Sequence, residues 1–405
     1  MSNFAFGTYR ITDQNPQHIQ ALCEAIESGI TLIDTSTNYM DGGAERAIAI
    51  ALRNFDEEKR AGIEIVSKIG YIQGTTLAKH KEEPFEDVVE YSETCLHSIS
   101  KSFILHQLEE SMIRLEVQQL DCCLLHNPEY YILDALNRET PLDEALDNMF
   151  HRIFDAFVAL EEQVKEGNIL SYGISSNSFA KTEQDVEFLP YEDLIALAEK
   201  AAVYVSNEKH NFTTIQLPIN ILEKEGLKCA SWAKRNGLRV LVNRPLNAQL
   251  DGKMFRLADY DESSEYYRHL NELLFACEND VLQALYNLIE QLDANKHKFA
   301  WIGDYESFLY SQILPHIKKI LVSIDKENLE TILNYIDMFL IEYKKMVAYE
   351  CSRNTRMQLT DTFTNFQMTL QEYALQFLMQ KDTIDYILVG MRKPTYVQDI
   401  MALKS

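Results

Sequence analysis

Eight short apolar runs punctuate the chain, at residues 4–9, 31–35, 63–68, 120–126, 169–175, 213–217, 238–243 and 384–389. Between them apolar residues recur at three- and four-residue steps: Ile19, Leu22, Cys23 and Ile26; Leu105, Leu108, Met112 and Leu115; Phe150, Ile153, Phe154, Phe157, Leu160 and Val164. A stripe of that period marks a helix with one buried face, and strand-length runs alternating with such helices mark parallel βα units. Eight strand candidates, most followed by a helix candidate, predict an α/β chain folded as a (β/α)8 TIM barrel rather than an open doubly wound sheet.

One span breaks the rhythm. Residues 247–364 carry helical patterns of their own, first Leu282, Leu285, Ile289 and Leu292, then Leu329, Ile332, Leu333, Ile336, Phe339, Leu340 and Tyr343. A structureless loop of that length inside a compact domain would be anomalous. Setting the span aside leaves roughly 290 residues, which suits a barrel. The expected organisation is therefore a barrel of residues 1–246 and 365–405, with a helical insertion subdomain at 247–364 after the seventh strand. Because βα connections emerge at the C-terminal face, the insertion is expected there, as a cover that keeps water from a pocket. A shorter excursion, residues 70–102, follows the third strand.

Composition narrows the function. The 405 residues are 46% hydrophobic and 10% aromatic, enough to build a sizeable core, while 38 Lys plus Arg against 62 Asp plus Glu leave a net charge of −24. That charge repels phosphate backbones, so nucleic acid is not an expected partner and any anionic ligand must be captured locally. No run of eighteen apolar residues occurs and the opening MSNFAFGTYR lacks a basic segment before an apolar one, so no membrane insertion and a cytoplasmic location are expected. Seven cysteines, an odd number with no CxxC spacing, predict neither a disulfide framework nor a metal site. The adjacent Cys122 and Cys123 read as small buried hydrophobes. Neither GxGxxG nor GxxxxGK[ST] is present, so the usual nucleotide-binding loops are missing.

The chemistry collects at the C-terminal ends of the predicted strands, where a barrel carries its active site. The second run ends at Asp34 and continues to Tyr39, the third ends at Lys68 and the fourth at His126. Each residue alone is commonplace: a strand-end cap, an amphipathic core tyrosine, a solvated lysine, a rim histidine. Their occurrence on successive strands suits proton delivery to a carbonyl oxygen. An ammonium about 4 Å from a phenol oxygen stabilises the phenolate by roughly 4 kcal/mol at an effective dielectric of about 20, bringing a pKa of about 10 to about 7. Lys68 is expected to do this for Tyr39, Asp34 to hold Lys68 charged, and His126 to bond the substrate oxygen.

These residues lie in a series of motifs: IDTSTNYMDGGAE (33–45), VSKIG (66–70), LEESMIRLEVQQLDCCLLHNPE (108–129), EGNILSYGISSNS (166–178), TTIQLPINILE (213–223), LVNRPL (241–246) and ILVGMRKP (387–394). In content and order they resemble the aldo-keto reductase family across the chain, outside residues 71–102 and 247–364. The resemblance implies a barrel that binds NADP(H), with NAD(H) as the alternative, and a catalytic tetrad of Asp34, Tyr39, Lys68 and His126. It also implies that the nicotinamide carboxamide meets Ser175, Ser176 or Asn177, and Gln216. Asn243, Arg244, Pro245 and Leu246 stand where the family often has a stacking aromatic; Arg244 is expected on the pyrophosphate. Gly390, Met391, Arg392, Lys393 and Asp399 fall at the adenosine end, the two cations suiting a 2′-phosphate.

The expected function is hydride transfer between nicotinamide C4 and the carbonyl or alcohol carbon of a small aldehyde, ketone or sugar-like substrate, with Tyr39 as general acid and base. A second reading, from another class, is a cofactor-sensing regulatory or binding subunit with little turnover. It is motivated by the acidic insertion, in which residues 251–350 hold 18 Asp plus Glu against 10 Lys plus Arg.

Overall fold

A computed structural model describes residues 3–279, 281–322, 326–365 and 367–403. Eight strands close a parallel barrel: β1 (Asn3–Gly7), β2 (Leu32–Asp34), β3 (Glu64–Ile69), β4 (Cys122–His126), β5 (Tyr172–Ser175), β6 (Phe212–Pro218), β7 (Arg239–Asn243) and β8 (Tyr386–Val389). Each coincides with one of the eight apolar runs. Neighbours follow chain order, and β1 closes the ring by pairing with β2 on one side and β8 on the other, as in Phe6 opposite Ile33 and Asn3 opposite Tyr386. Closure satisfies every strand edge, and continuous apolar runs suit strands buried on both faces.

Side chains fill the barrel interior. Ala5, Leu32, Val66, Cys122, Leu124, Leu241 and Leu388 form one buried cluster drawn from six strands. All seven cysteines are free thiols. Cys122 and Cys123 are fully buried on β4 and serve as packing groups. Gly173 on β5 answers to close approach: a Cβ there would lie 1.9 Å from the Thr214 carbonyl oxygen on β6 and 2.8 Å from Leu124. Gly173→Ala must push two paired strands apart, and overpacking of this kind costs about 1–3 kcal/mol or more. Thermal unfolding of the variant is expected to shift down by several degrees; an unchanged transition would show that the strands can yield.

Helices surround the barrel with an apolar face inward, although several residues of the predicted stripes, Ile19, Cys23, Phe150, Phe154 and Val164 among them, are only partly covered. In Lys101–Leu115 the buried face is Phe103, Ile104, Gln107, Leu108, Ser111 and Leu115, while Leu105 and Met112 are only partly covered. The face turns because the fully buried Glu45 carboxylate draws polar groups in. It accepts hydrogen bonds from Ser67 Oγ at 2.8 Å, Ser111 Oγ at 2.5 Å and Arg114 Nε at 2.7 Å. A buried charge so paired fixes the helix Gly43–Leu52 against β3 and Lys101–Leu115.

Two compact units divide the chain. The barrel unit runs to Pro245 and resumes at Phe377; the second unit is Leu246–Gln376, so the later boundary falls within the helix Leu370–Met379. The second unit begins with a hairpin, Asn247–Leu250 against Lys253–Arg256, turned by Asp251 and Gly252 at φ values of 51° and 73°. Among the described residues, the helices Tyr266–Ala276, Gln283–Asn295, Ile302–Phe308, Leu314–Leu321 and the 33-residue Lys326–Gln358 follow. Their core is their own: Tyr266, Leu273, Leu285, Ile289, Tyr305, Phe339, Tyr343 and Val347 are fully buried, while Leu333 faces outward. The Tyr266 hydroxyl donates to Asp293 and the Tyr343 hydroxyl to the Leu292 carbonyl, both at 2.7 Å, whereas the buried Tyr305 hydroxyl has no hydrogen-bond partner. No described helix is long and apolar enough to cross a membrane.

Candidate active site

Strand ends position the polar cluster. Asp34 is the last residue of β2, Lys68 lies near the end of β3 and His126 ends β4. Beyond β2 the chain is bonded to its neighbour, Thr35 N–H to the Val66 carbonyl at 2.8 Å and Thr37 N–H to the Lys68 carbonyl at 3.2 Å. It then turns through Met40, Asp41 and Gly42, all at positive φ, into the helix Gly43–Leu52. The Asp41 carboxylate accepts the Thr75 N–H at 3.0 Å and its hydroxyl at 2.8 Å, clipping the loop that carries Tyr39 to the helix Gly74–Glu82.

Lys68 is fully buried, and its three N–H donors all find acceptors. They are Asp34, at 2.8 Å, the Thr35 carbonyl, at 2.6 Å, and the Tyr39 phenol oxygen, at 3.2 Å. Asp34 also accepts from Gln216 Nε2 at 2.6 Å. Because the ammonium donates to the phenol oxygen, the phenol's own hydrogen stays available to another acceptor.

The electrostatics differ from the sequence expectation. Burial raises Tyr39 well above its ordinary value near 10, with the charge of Asp34 and the neighbouring Tyr9 adding to the rise. The expected fall to about 7 does not occur, since Asp34 counters the ammonium's field and a dry phenolate is costly. Burial also lowers Lys68 and raises Asp34, each opposed by the attraction of its partner. His126 is pushed well below 6.5 by burial, then by the charge of Lys68 and the nearby His97, and is a neutral imidazole. Its ring lies 6.1 Å from that of Tyr39, edge to face. The site thus presents a protonated phenol and a neutral imidazole side by side above a buried ion pair.

Other groups around His126 were not singled out by the sequence. Residues 70–102 fold as a three-stranded antiparallel sheet, Tyr71–Ile72, Cys95–His97 and Val89–Ser92 in spatial order, plus the helix Gly74–Glu82. His97 Nε2 lies 2.7 Å from the His126 carbonyl oxygen, a contact that Gly70 permits, because a Cβ there would stand 2.6 Å from that nitrogen. Tyr71 packs edge-on to the His126 ring at 4.6 Å, and its hydroxyl meets that of Tyr130 at 2.8 Å and Asn127 Nδ2 at 2.6 Å. Tyr91 stacks on Tyr130 at 4.1 Å. Ser36 Oγ lies 3.2 Å from His126 Nδ1. Beneath the turn after β5, burial raises Glu129 to about 7, and its Oε1 accepts the Ser178 N–H at 3.4 Å.

The predicted cofactor residues divide into those gathered and those dispersed. Ser175 Oγ donates to Gln216 Oε1 at 3.0 Å, and Asn243 Nδ2 reaches the same oxygen at 3.4 Å, so these three lie beside Asp34. Ser176 is buried, with its hydroxyl oxygen accepting the Ser178 N–H at 3.0 Å. Asn177 is exposed and held to Asn127 Oδ1 through its N–H at 3.2 Å. Arg244, at a positive φ of 50°, pairs with Glu223 at 2.7 Å. Pro245 ends the barrel unit's first segment, and Leu246 belongs to the second unit, where it is buried and its carbonyl accepts the Leu257 N–H. Gly390 follows β8, Met391 is fully buried, Arg392, Lys393 and Asp399 are exposed, and Lys393 immediately precedes the helix Pro394–Ala402. Two buried polar atoms at the end of β7, Asn243 Oδ1 and Arg244 Nε, have no hydrogen-bond partner. Orphaned polar atoms at a strand end fit a polar ligand that completes them.

A sequence model described as the Aldo/keto reductase family matches residues 3–404. Among solved structures, the chain is similar to an aldo-keto reductase from Bacillus halodurans in its holo form, at 16% identity over 100% of this chain and 86% of that one, with a TM-score of 0.48. It is also similar to an aldo/keto reductase from Klebsiella pneumoniae in complex with NADP and acetate, at 16% identity over 99% and 85%, TM-score 0.46. A third is the glycerol dehydrogenase from Gluconobacter oxydans, at 16% over 99% and 86%, TM-score 0.48. The assignment rests on the family match and on the closed eight-stranded barrel, and by both the chain belongs to the aldo/keto reductase family, whose members are NAD(P)H-dependent oxidoreductases.

Proposed function

We propose that the protein transfers a hydride between nicotinamide C4 and the carbonyl or alcohol carbon of a small aldehyde, ketone or sugar-like substrate, with Tyr39 delivering the proton to oxygen. The observation that carries this reading is the buried Lys68 ammonium, which bonds Asp34 and the Tyr39 phenol oxygen at once. In the reduction direction the phenol donates to the developing alkoxide, and Lys68 stabilises the phenolate left behind. His126, neutral and beside the phenol, bonds the same oxygen and orients it.

The nicotinamide cofactor supplies the hydride when bound. Ser175 and Gln216 would hold its carboxamide end, with the exposed Asn177 better placed than the buried Ser176 to reach it. Arg244 carries an orphaned donor, Nε, that suits its pyrophosphate, while the orphaned Asn243 Oδ1 is an acceptor and suits an N–H or O–H group of the cofactor. Arg392 and Lys393, both exposed after β8, would meet a 2′-phosphate, which favours NADP(H) over NAD(H). The NADP named in the Klebsiella pneumoniae complex agrees with that preference.

A panel of aldehydes, ketones and sugar lactols, followed by NADPH oxidation and NADP reduction, tests this reading. Because the phenol is held well above 10, it stays protonated across the neutral range. Carbonyl reduction is therefore expected to be nearly flat from pH 6 to 9 as far as Tyr39 is concerned. Alcohol oxidation, which needs the phenolate, is expected to rise by about tenfold per pH unit over that range. No turnover with any member of the panel, or an oxidation rate that falls with pH, would overturn it.

A further inference from the structure

We propose that Glu129 sets the balance between oxidised and reduced cofactor: its buried carboxyl, once ionised, favours the positively charged nicotinamide ring of NADP+ over the neutral ring of NADPH. The inference deepens the reading above and rests on its placement of the carboxamide at Ser175, Asn177 and Gln216, but its test needs no turnover.

Glu129 lies between His126, the last residue of β4, and the helix Tyr130–Asn137. Two side chains of this connection grip the turn after β5. Asn127 Oδ1 accepts the Asn177 N–H at 3.2 Å, and Glu129 Oε1 accepts the Ser178 N–H at 3.4 Å. A backbone N–H only donates, so neither contact can be read the other way. The Ser178 N–H also reaches Ser176 Oγ at 3.0 Å, and the Ser176 hydroxyl is turned to the carboxyl. Glu129 therefore lies against the residues on both sides of Asn177.

The carboxyl has little with which to hold a charge. Glu129 is 3% exposed, its Oε2 has no hydrogen-bond partner, and Oε1 holds the one long bond. Among the described residues no Lys, Arg or His pairs with it, and the titratable groups that face it are the Tyr71 and Tyr130 phenols, both raised by burial and neutral. A dry carboxylate without a cation is costly, so the group keeps its proton until a positive charge comes near. Burial accordingly raises it to about 7, with the Ser176 and Ser178 groups opposing the rise. The two cofactor states differ by one positive charge on the ring and share the same phosphates. A unit charge about 12 Å away, at an effective dielectric of about 20, changes an equilibrium about tenfold. By linkage that factor appears twice: ionised Glu129 favours NADP+ over NADPH, and NADP+ draws the proton from the carboxyl more readily than NADPH does.

Calorimetric titration of the full chain with NADP+ and with NADPH reads this directly. The ratio of the NADPH to the NADP+ dissociation constant is expected to rise about fivefold from pH 6 to pH 8 in the wild type. It should stay level in Glu129→Gln, which keeps the shape and loses the charge. Phosphate contributions cancel in the ratio, and a merely structural role for Glu129 would leave it independent of pH. In buffers of different ionisation enthalpy at pH 6.5, NADP+ is expected to release to the buffer about half a proton more than NADPH does. Should Glu129→Gln fail to fold, infrared difference spectra of the wild type replace it, and NADP+ is expected to remove a protonated-carboxyl band that NADPH leaves in place. A level ratio in the wild type, the same rise in Glu129→Gln, equal proton release, or a carboxyl band untouched by NADP+ would overturn the proposal. The expected rise in a protein that turns over no substrate would instead sink the hydride-transfer reading and leave this one standing; binding of neither cofactor form would sink both.

Discussion

Tyr39→Phe is expected to abolish carbonyl reduction while leaving cofactor affinity nearly unchanged. The substitution removes a single oxygen. Lys68 keeps its bonds to Asp34 and Thr35, and the aromatic ring keeps its edge-on contact with Tyr9 at 5.2 Å, so the fold has little to lose. What disappears is the one acid whose conjugate base sits on a buried ammonium. A positioned proton donor contributes typically about 10²–10⁴-fold, and steady-state turnover should drop by at least that factor. The affinity for NADPH, read by fluorescence titration, should move by less than about threefold, an allowance for small changes at sites without direct contact. Equal turnover in the variant would remove Tyr39 from the mechanism. Lost cofactor binding would place the phenol's role in the binding step.

Lys68→Met is expected to damage both activity and stability, and the two effects can be separated. Removing the ammonium leaves Asp34 buried and uncompensated except for Gln216, a situation that costs about 3–5 kcal/mol. The carboxyl escapes part of the cost by holding a proton, so its folded pKa rises above the unfolded one. Such a group contributes stability below its unfolded pKa and loses it as pH rises through the folded value. The variant's deficit should therefore be small in mild acid and grow toward alkaline pH. Adding Asp34→Asn removes the second charge and is expected to restore most of the thermal stability, yet not the turnover, because the phenol still lacks its cation. A double variant no more stable than the single one would show that the pair's hydrogen bonds outweigh its desolvation.

Much of the barrel was legible because its strands are buried on both faces and stand out as apolar runs between helical stripes. The strand ends also carried Asp34, Lys68 and His126 in plain view. The sheet of residues 71–97 was not legible, since its strands are two to four residues long and its register shifts between Glu90 and Ser92. Tyr71 and His97 reached His126 unannounced for that reason. The hairpin at 247–256 did leave a signal: an Asp-Gly pair between two short segments, with both residues at positive φ, is a two-residue turn of the favoured twist. Reading that span by its helical stripes alone passed over it. The phenol's acidity lay beyond any sequence argument, because it depends on how far Asp34 cancels the field of Lys68 and how dry the site is.

The place of β8 sets the order in which the barrel can be finished during synthesis. That strand joins β1 to β7, yet all of Leu246–Gln376 leaves the ribosome before it. At about 5–20 residues per second, a nascent chain spends several seconds with an open seven-stranded sheet whose two terminal strands offer unpaired amides and carbonyls. The helical unit, made in that interval with an apolar centre of its own, is free to collapse first. Newly made chains are thus most exposed to mispairing in the window just before the last strand arrives, when a chaperone would have the most to protect.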